Sequence, residues 1–303
     1  MVKALEVEFL GVRFPNPVVT ASGTFHFGRE YAHLYPLSRL GAVTTSGISR
    51  RPAAGAPAPR ITETPMGMLS AIGLENEGVD AYVASELPWL KAQGARVIVN
   101  VFGDEAADLA YVARKVSPYA DLIELNLSAG GKRPFAHDPK AAAEVVRRVK
   151  DATDRPVLAK LSPGAPLLPM AEALEGAGVD GFSLINTLPG MRMDLERKRP
   201  VLGSRTGGLS GPAIKPVAVR LVYELYRHTD RPILGMGGIT SAEDALEFAL
   251  AGARMVAVGT AIFSDPYAPL RVIEALEARL AGANERWLDW VGAAHAAPRR
   301  PGG

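Results

Sequence analysis

The chain contains no cysteine. Disulfides, thiolate metal sites and an iron–sulfur cluster are therefore excluded within it, as is a thiol acting as nucleophile or general base. It also lacks any apolar run of roughly 18 residues, the length a membrane-spanning helix needs. An excess of one charge sign is missing too. The 34 Lys and Arg stand against 32 Asp and Glu, a formal charge of +2. That balance gives no reason to expect nucleic acid or an anionic membrane as partner. The opening MVKALEVEFLGVRF alternates like a strand and has no signal-peptide core. Together these absences predict a cytoplasmic protein. No linker, low-complexity tract or charge block interrupts the chain, so residues 1–303 read as a single domain. A disordered tail is expected from about 290 to 303.

What the chain has is a repeated unit of a short β-branched run, a turn and an amphipathic helix. Eight apolar runs lie at 17–21, 41–45, 96–101, 121–126, 156–161, 181–186, 232–237 and 254–259. Helical patterns fall at 104–117, 138–152, 213–228 and 241–251. The last of these opens on Ser241, with Glu243 and Asp244 in its first turn, as an N-cap and the helix dipole favour. Strands alternating with helices imply a parallel sheet. Eight of them predict an α/β fold closed into one (β/α)8 TIM barrel, with an open doubly wound sheet as the alternative. Residues 4–14 read as a strand pair plugging one end of the barrel. Insertions at 46–77 and 187–212 fall on the C-terminal face, where such barrels build their sites.

Two glycine turns carry the strongest local signal. GMGGIT (235–240) and AVGTAI (257–262) each end a strand and feed a helix. Backbone N–H groups at Gly237, Gly238, Gly259 and Thr260 can approach a phosphate closely, and the turns after strands seven and eight are where barrels bind one. Many barrels share this device, so it does not identify the ligand. Polar residues close otherwise apolar strands at Ser22, Asn100, Asn126, Lys160 and Asn186. A single strand-end Asn is ordinarily a turn residue. Five converging on one face suit a planar heteroaromatic ligand with several donors and acceptors. Lys160 in mid-barrel needs an anion or an electron-rich ring nearby, or else serves as a Schiff-base lysine in a non-flavin barrel.

ASGTFHFG (21–28), ETPMGMLSAIGLENEG (63–78), ELNLS (124–128), AKLSP (159–163), INTLPGMRMDL (185–195), GGLSGPAIKPVA (207–218), GMGG and AVGT follow one another along nearly the whole chain. This series resembles the motifs of dihydroorotate dehydrogenases, and most of all the class 1B catalytic subunit. The resemblance implies a flavoprotein oxidoreductase that uses FMN to oxidise dihydroorotate to orotate in pyrimidine biosynthesis, or acts on a related small cyclic substrate. The alternative is a flavin-binding paralogue that has lost this activity. Carried over by position, the FMN contacts are Ala21, Ser22, Gly23, Ser46, Gly47, Asn100, Asn126, Lys160, Ile185, Gly211, Gly237, Gly238, Gly259 and Thr260. The substrate contacts are Ser70, Ala71, Ile72, Gly73, Leu74, Asn126, Asn186 and Thr187. The resemblance further implies a homo-oligomer and an iron–sulfur flavoprotein electron-transfer subunit as partner. No metal site is expected.

The chain departs from the family on the substrate side. The family takes a proton with a Cys in a motif like NLSCPN, whereas this chain reads NLSAGGKRPFAHDP, with Ala129 at the base position. Loss of a general base typically costs about 10²–10⁴ in rate. The Asn that follows in the family is missing. Ser46 stands for a Lys and Ser70 for an Asn, while the flavin side reads intact. The catalytic residue is therefore left unassigned. Ser128 is expected to face away from the site. His26 and His137 are read as solvated loop side chains of suitable basicity, and Arg50 and Arg51 as substitute positive charge.

Overall fold

The computed structural model describes residues 4–128 and 134–295. Eight parallel strands form its centre: β1 (Val18–Thr20), β2 (Val43–Thr44), β3 (Val97–Val101), β4 (Leu122–Asn126), β5 (Val157–Leu161), β6 (Gly181–Leu184), β7 (Ile233–Met236) and β8 (Ala253–Val258). Each falls on one of the expected apolar runs, β8 starting one residue earlier, at Ala253. From β2 to β8 every strand pairs with its successor in sequence, and β8 pairs with β1. The seam between β1 and β2 is held by Gly41 N donating to Val18 O at 2.8 Å and Thr20 N donating to Ala42 O at 3.2 Å. A Cβ on Gly41 would stand 2.5 Å from Asn16 O, so glycine permits the approach that closes the barrel.

The strands read as largely apolar runs because both their faces are covered. β3, β4 and β5 are buried at every residue. Helices cover the outside, among them α1 (Ala106–Val116), α2 (Pro139–Lys150), α3 (Leu167–Gly176), α4 (Lys215–Tyr226), α5 (Ala242–Ala251) and α6 (Ala268–Ala283). Asp138 caps α2 by accepting from Lys140 N and Ala141 N. Ser241 caps α5 in a capping box with Asp244, and Gly252 ends that helix at φ +116.

The N-terminal pair, Val7–Phe9 with Val12–Phe14, is antiparallel. It lies at the end where the strands begin, where Arg254 Nε, at the start of β8, donates to Glu8 O at 2.7 Å. At the opposite end the two insertions pair with each other. They form a four-stranded antiparallel sheet in the order Leu188–Gly190, Gly207–Ser210, Gly67–Ser70, Ile61–Thr64.

The chain from 290 to 295, expected as the start of a tail, is packed. The helix Trp287–Trp290 buries Trp287 completely, and its Nε1 donates to Arg254 O at 2.9 Å. His295 stacks on Tyr223 at 4.0 Å between ring centroids, with Nε2 donating to Ala251 O at 3.0 Å. Aromatic burial overrides a composition that reads as tail; residues 296–303 lie outside the described residues. Trp287→Ala is expected to lose about 3–5 kcal/mol in urea unfolding. A loss below about 1 kcal/mol would show that this helix does not brace the barrel.

Candidate active site

A cleft of about 460 Å³ opens at the C-terminal ends of the strands. Ala21, Ser22 and Gly23 reach it from the loop after β1, and Asn126 and Lys160 from the ends of β4 and β5. Ile185, Asn186 and Thr187 follow β6, Gly237 and Gly238 follow β7, and Gly259 and Thr260 follow β8. The paired insertions add Gly47, Ser70, Ala71, Ile72, Gly73, Leu74 and Gly211. Every expected contact except Ser46 and Asn100 lines this cleft.

Ser46 is half-buried off the lining, its backbone N–H donating to His26 O at 3.2 Å. Asn100 has no exposed surface and stands behind Gly47, where an added Cβ would come 3.1 Å from Asn100 Oδ1. Asn100 Nδ2 donates to Glu124 Oε1 at 2.6 Å, but its Oδ1 has no partner among the described residues, and neither does buried Thr44 Oγ1. Such orphaned acceptors are costly in a dry interior.

The glycine turn after β7 is conformationally reserved. Gly237 and Gly238 have φ +129 and +82, and Gly211, facing them, has φ +99. A Cβ on Gly238 would meet Gly211 O at 2.8 Å and Lys215 Cβ at 2.9 Å. Thr260 Oγ1 donates to Ser210 Oγ at 2.8 Å and so ties the turn after β8 to the insertion sheet. Beside the turn after β7, Lys215 bonds Asp244 at 2.7 Å and Glu247 at 2.6 Å, and these bonds hold its ammonium above the ordinary range. Burial alone would raise the Asp244 carboxyl, but hydrogen bonds from Lys215 and Thr240 outweigh it and hold it low.

Lys160 is 4% exposed, with Nζ 3.5 Å from Glu124 Oε1. Glu124, fully buried, also accepts from Ser183 Oγ at 2.8 Å. The sequence reading missed both Glu124 and Ser183. Their signal is in the register, where Asn100 stands beside Glu124 and Lys160 beside Ser183 on adjacent strands.

Ser128 lines the cleft, which corrects its expected outward orientation. The chain has left β4 by Leu127, whose N–H donates back to Leu125 O at 3.1 Å, so strand alternation no longer applies. Asn186 Nδ2 donates to Ser128 Oγ at 2.6 Å. Ala129, expected at the base position, lies outside the described residues. His26 packs edge-on against Phe27, His137 is exposed, and Arg50 pairs with Asp108 at 3.0 Å; none of these three, nor Arg51, lines the cleft. Among the described residues no group of three or more His, Asp or Glu is placed to hold a metal. No helix among them is long and apolar enough to cross a membrane.

Comparison with known proteins places this geometry. The family model described as dihydroorotate dehydrogenase matches residues 4–280. The chain belongs to the dihydroorotate dehydrogenase family. The match takes in all eight barrel strands and both insertions. A relative from Bacillus cereus (strain G9842), the "Dihydroorotate dehydrogenase B (NAD(+)), catalytic subunit", is 49% identical over 283 residues, covering 91% of this chain and 92% of its own. The protein of the same name from Bacillus anthracis (strain CDC 684 / NRRL 3495) is 48% identical over the same shares.

Proposed function

We propose that the protein is the FMN-dependent catalytic subunit of a dihydroorotate dehydrogenase, oxidising dihydroorotate or a closely related small ring in pyrimidine biosynthesis. The observation that carries this reading is the cleft itself. Strand-end polar groups and the glycine turns after β7 and β8 meet there, in a chain 49% identical to a catalytic subunit of that name.

The residues present fit FMN. Gly211, Gly237, Gly238, Gly259 and Thr260 offer backbone that a phosphate approaches closely, and a Cβ at Gly238 would fill the cradle. The orphaned Asn100 Oδ1, behind Gly47, suits the N–H edge of a flavin ring. Lys160, Asn126, Ala21, Ser22 and Gly23 complete the ring site. The flavin, when bound, supplies the hydride acceptor. This chain's own residues bind and orient. Ser70 to Leu74 wall the substrate side, while Asn126, Asn186 and Thr187 present amide and hydroxyl groups to the ring of the substrate. Ser128 holds the Asn186 amide in place. Electrons leave to an iron–sulfur flavoprotein subunit, whose cluster must reside there because this chain has no cysteine.

The test is an absorbance spectrum of the purified protein followed by anaerobic titration with dihydroorotate. A flavin spectrum that bleaches is expected. A colourless protein that cannot be reconstituted with FMN would overturn the cofactor. A yellow protein that dihydroorotate does not bleach would overturn the substrate and leave a flavin-binding paralogue.

A further inference from the structure

One fully buried carboxylate has no direct part in the cleft. Glu124 has no exposed surface and is absent from the cleft lining. A carboxylate is rarely buried unless it is paired and hydrogen-bonded. Here three donors from three different strands surround it. Oε1 accepts from Asn100 Nδ2 at 2.6 Å and stands 3.5 Å from Lys160 Nζ, while Oε2 accepts from Ser183 Oγ at 2.8 Å. Of these partners, Lys160 lines the cleft and Asn100 carries the orphaned acceptor behind Gly47. Glu124 therefore reaches any bound ligand only through them.

We propose that Glu124 is a positioning residue that fixes Lys160 beneath the flavin and, as its counter-charge, sets the flavin's reduction potential. The inference rests on the FMN reading above. A buried ammonium next to the ring stabilises the electron-rich reduced form, because a charge acts strongly where water is excluded. The carboxylate behind it offsets that field and keeps the potential low. It leaves the Lys160 N–H donors where they are. The β3–β4, β4–β5 and β5–β6 ladders make the arrangement rigid, since all four side chains stand on paired barrel strands.

A Glu124 of purely structural importance would alter stability and FMN loading and leave the potential alone. The experiment is a spectroelectrochemical titration of the FMN-loaded protein against a reference dye, for the parent, Glu124→Gln and Ser183→Ala. Glu124→Gln keeps the shape and removes the charge. It is expected to shift the reduction equilibrium at least tenfold towards the reduced flavin, about 30 mV for a two-electron couple. Ser183→Ala keeps the charge and is expected to shift that equilibrium less than threefold. Glu124→Asp is the second variant. Its carboxylate retreats from Nζ and should move the potential in the same direction by a smaller amount.

An unchanged or lowered potential in Glu124→Gln overturns the proposal; if that variant does not load, the same outcome in Glu124→Asp does so. Failure of both to load FMN while the parent loads also counts against it, because the near-isosteric amide should preserve the site. A parent that takes no FMN overturns the cofactor reading itself. A yellow parent with an unmoved variant overturns this inference alone.

Discussion

Lys160→Ala protein is expected to retain FMN roughly tenfold to hundredfold more weakly than the parent. A hydrogen bond to a charged group contributes about 1.5–3 kcal/mol, which is that range in Kd. Lys160 is the one cation among the described residues lining the cleft. A second effect accompanies the first. The change leaves Glu124, which is fully buried, without its cation. Breaking a buried pair on one side costs about 3–5 kcal/mol, so the apoprotein should also unfold at lower urea. Lys160→Met with Glu124→Gln removes both charges and should recover much of that stability without recovering FMN. Undiminished FMN retention in Lys160→Ala would refute the placement of the lysine at the ring. Recovery of FMN in the double variant would show that the loss came from the stranded carboxylate.

Gly238→Ala should abolish FMN binding, with at least a hundredfold loss of affinity, and leave the barrel folded. Its φ of +82 is unfavourable for any residue with a Cβ, and the added atom would stand 2.8 Å from Gly211 O and 3.1 Å from Pro212 Cα. Those neighbours are backbone and do not swing aside. Strain of this kind costs about 1–3 kcal/mol, and a displaced turn no longer presents its amides to a phosphate. Gly176→Ala is the matched control, since an added Cβ there meets nothing within 4 Å. Circular dichroism and FMN fluorescence titration on the three proteins decide the matter. Equal affinity for parent and Gly238→Ala would remove the phosphate from this turn.

The barrel was legible because buried parallel strands announce themselves as largely apolar runs, and every such run became a strand. The glycine turns were legible because Gly237–Gly238 and Gly259 follow apolar runs and precede helices, which places them at the ends of β7 and β8. The pairing of the insertions was not. Gly67–Ser70 and Gly207–Ser210 are short and carry no clean alternation, and their partnership is a matter of tertiary register. Glu124 escaped for a related reason. A lone Glu in ELN says nothing of its partners until β3 to β6 are laid side by side. Ser128 was misread because the alternation of β4 was extended past Leu127, where the backbone turns. Ser46 came in through the resemblance alone, and Asn100 also as a polar residue closing an apolar run; the structure sets the first off the cleft lining and the second behind Gly47.

The roof of the cleft is a single sheet assembled from two distant stretches of chain, with Leu209 beside Leu69 and Ser210 beside Met68 at the join. Neither stretch has a full complement of backbone partners without the other. For anyone wishing to redirect this protein to a new ring, the exchangeable part is thus the pair of stretches as a matched set. Grafting one alone would leave a raw strand edge over the mouth, inviting aggregation, whereas both together could be replaced on an untouched barrel.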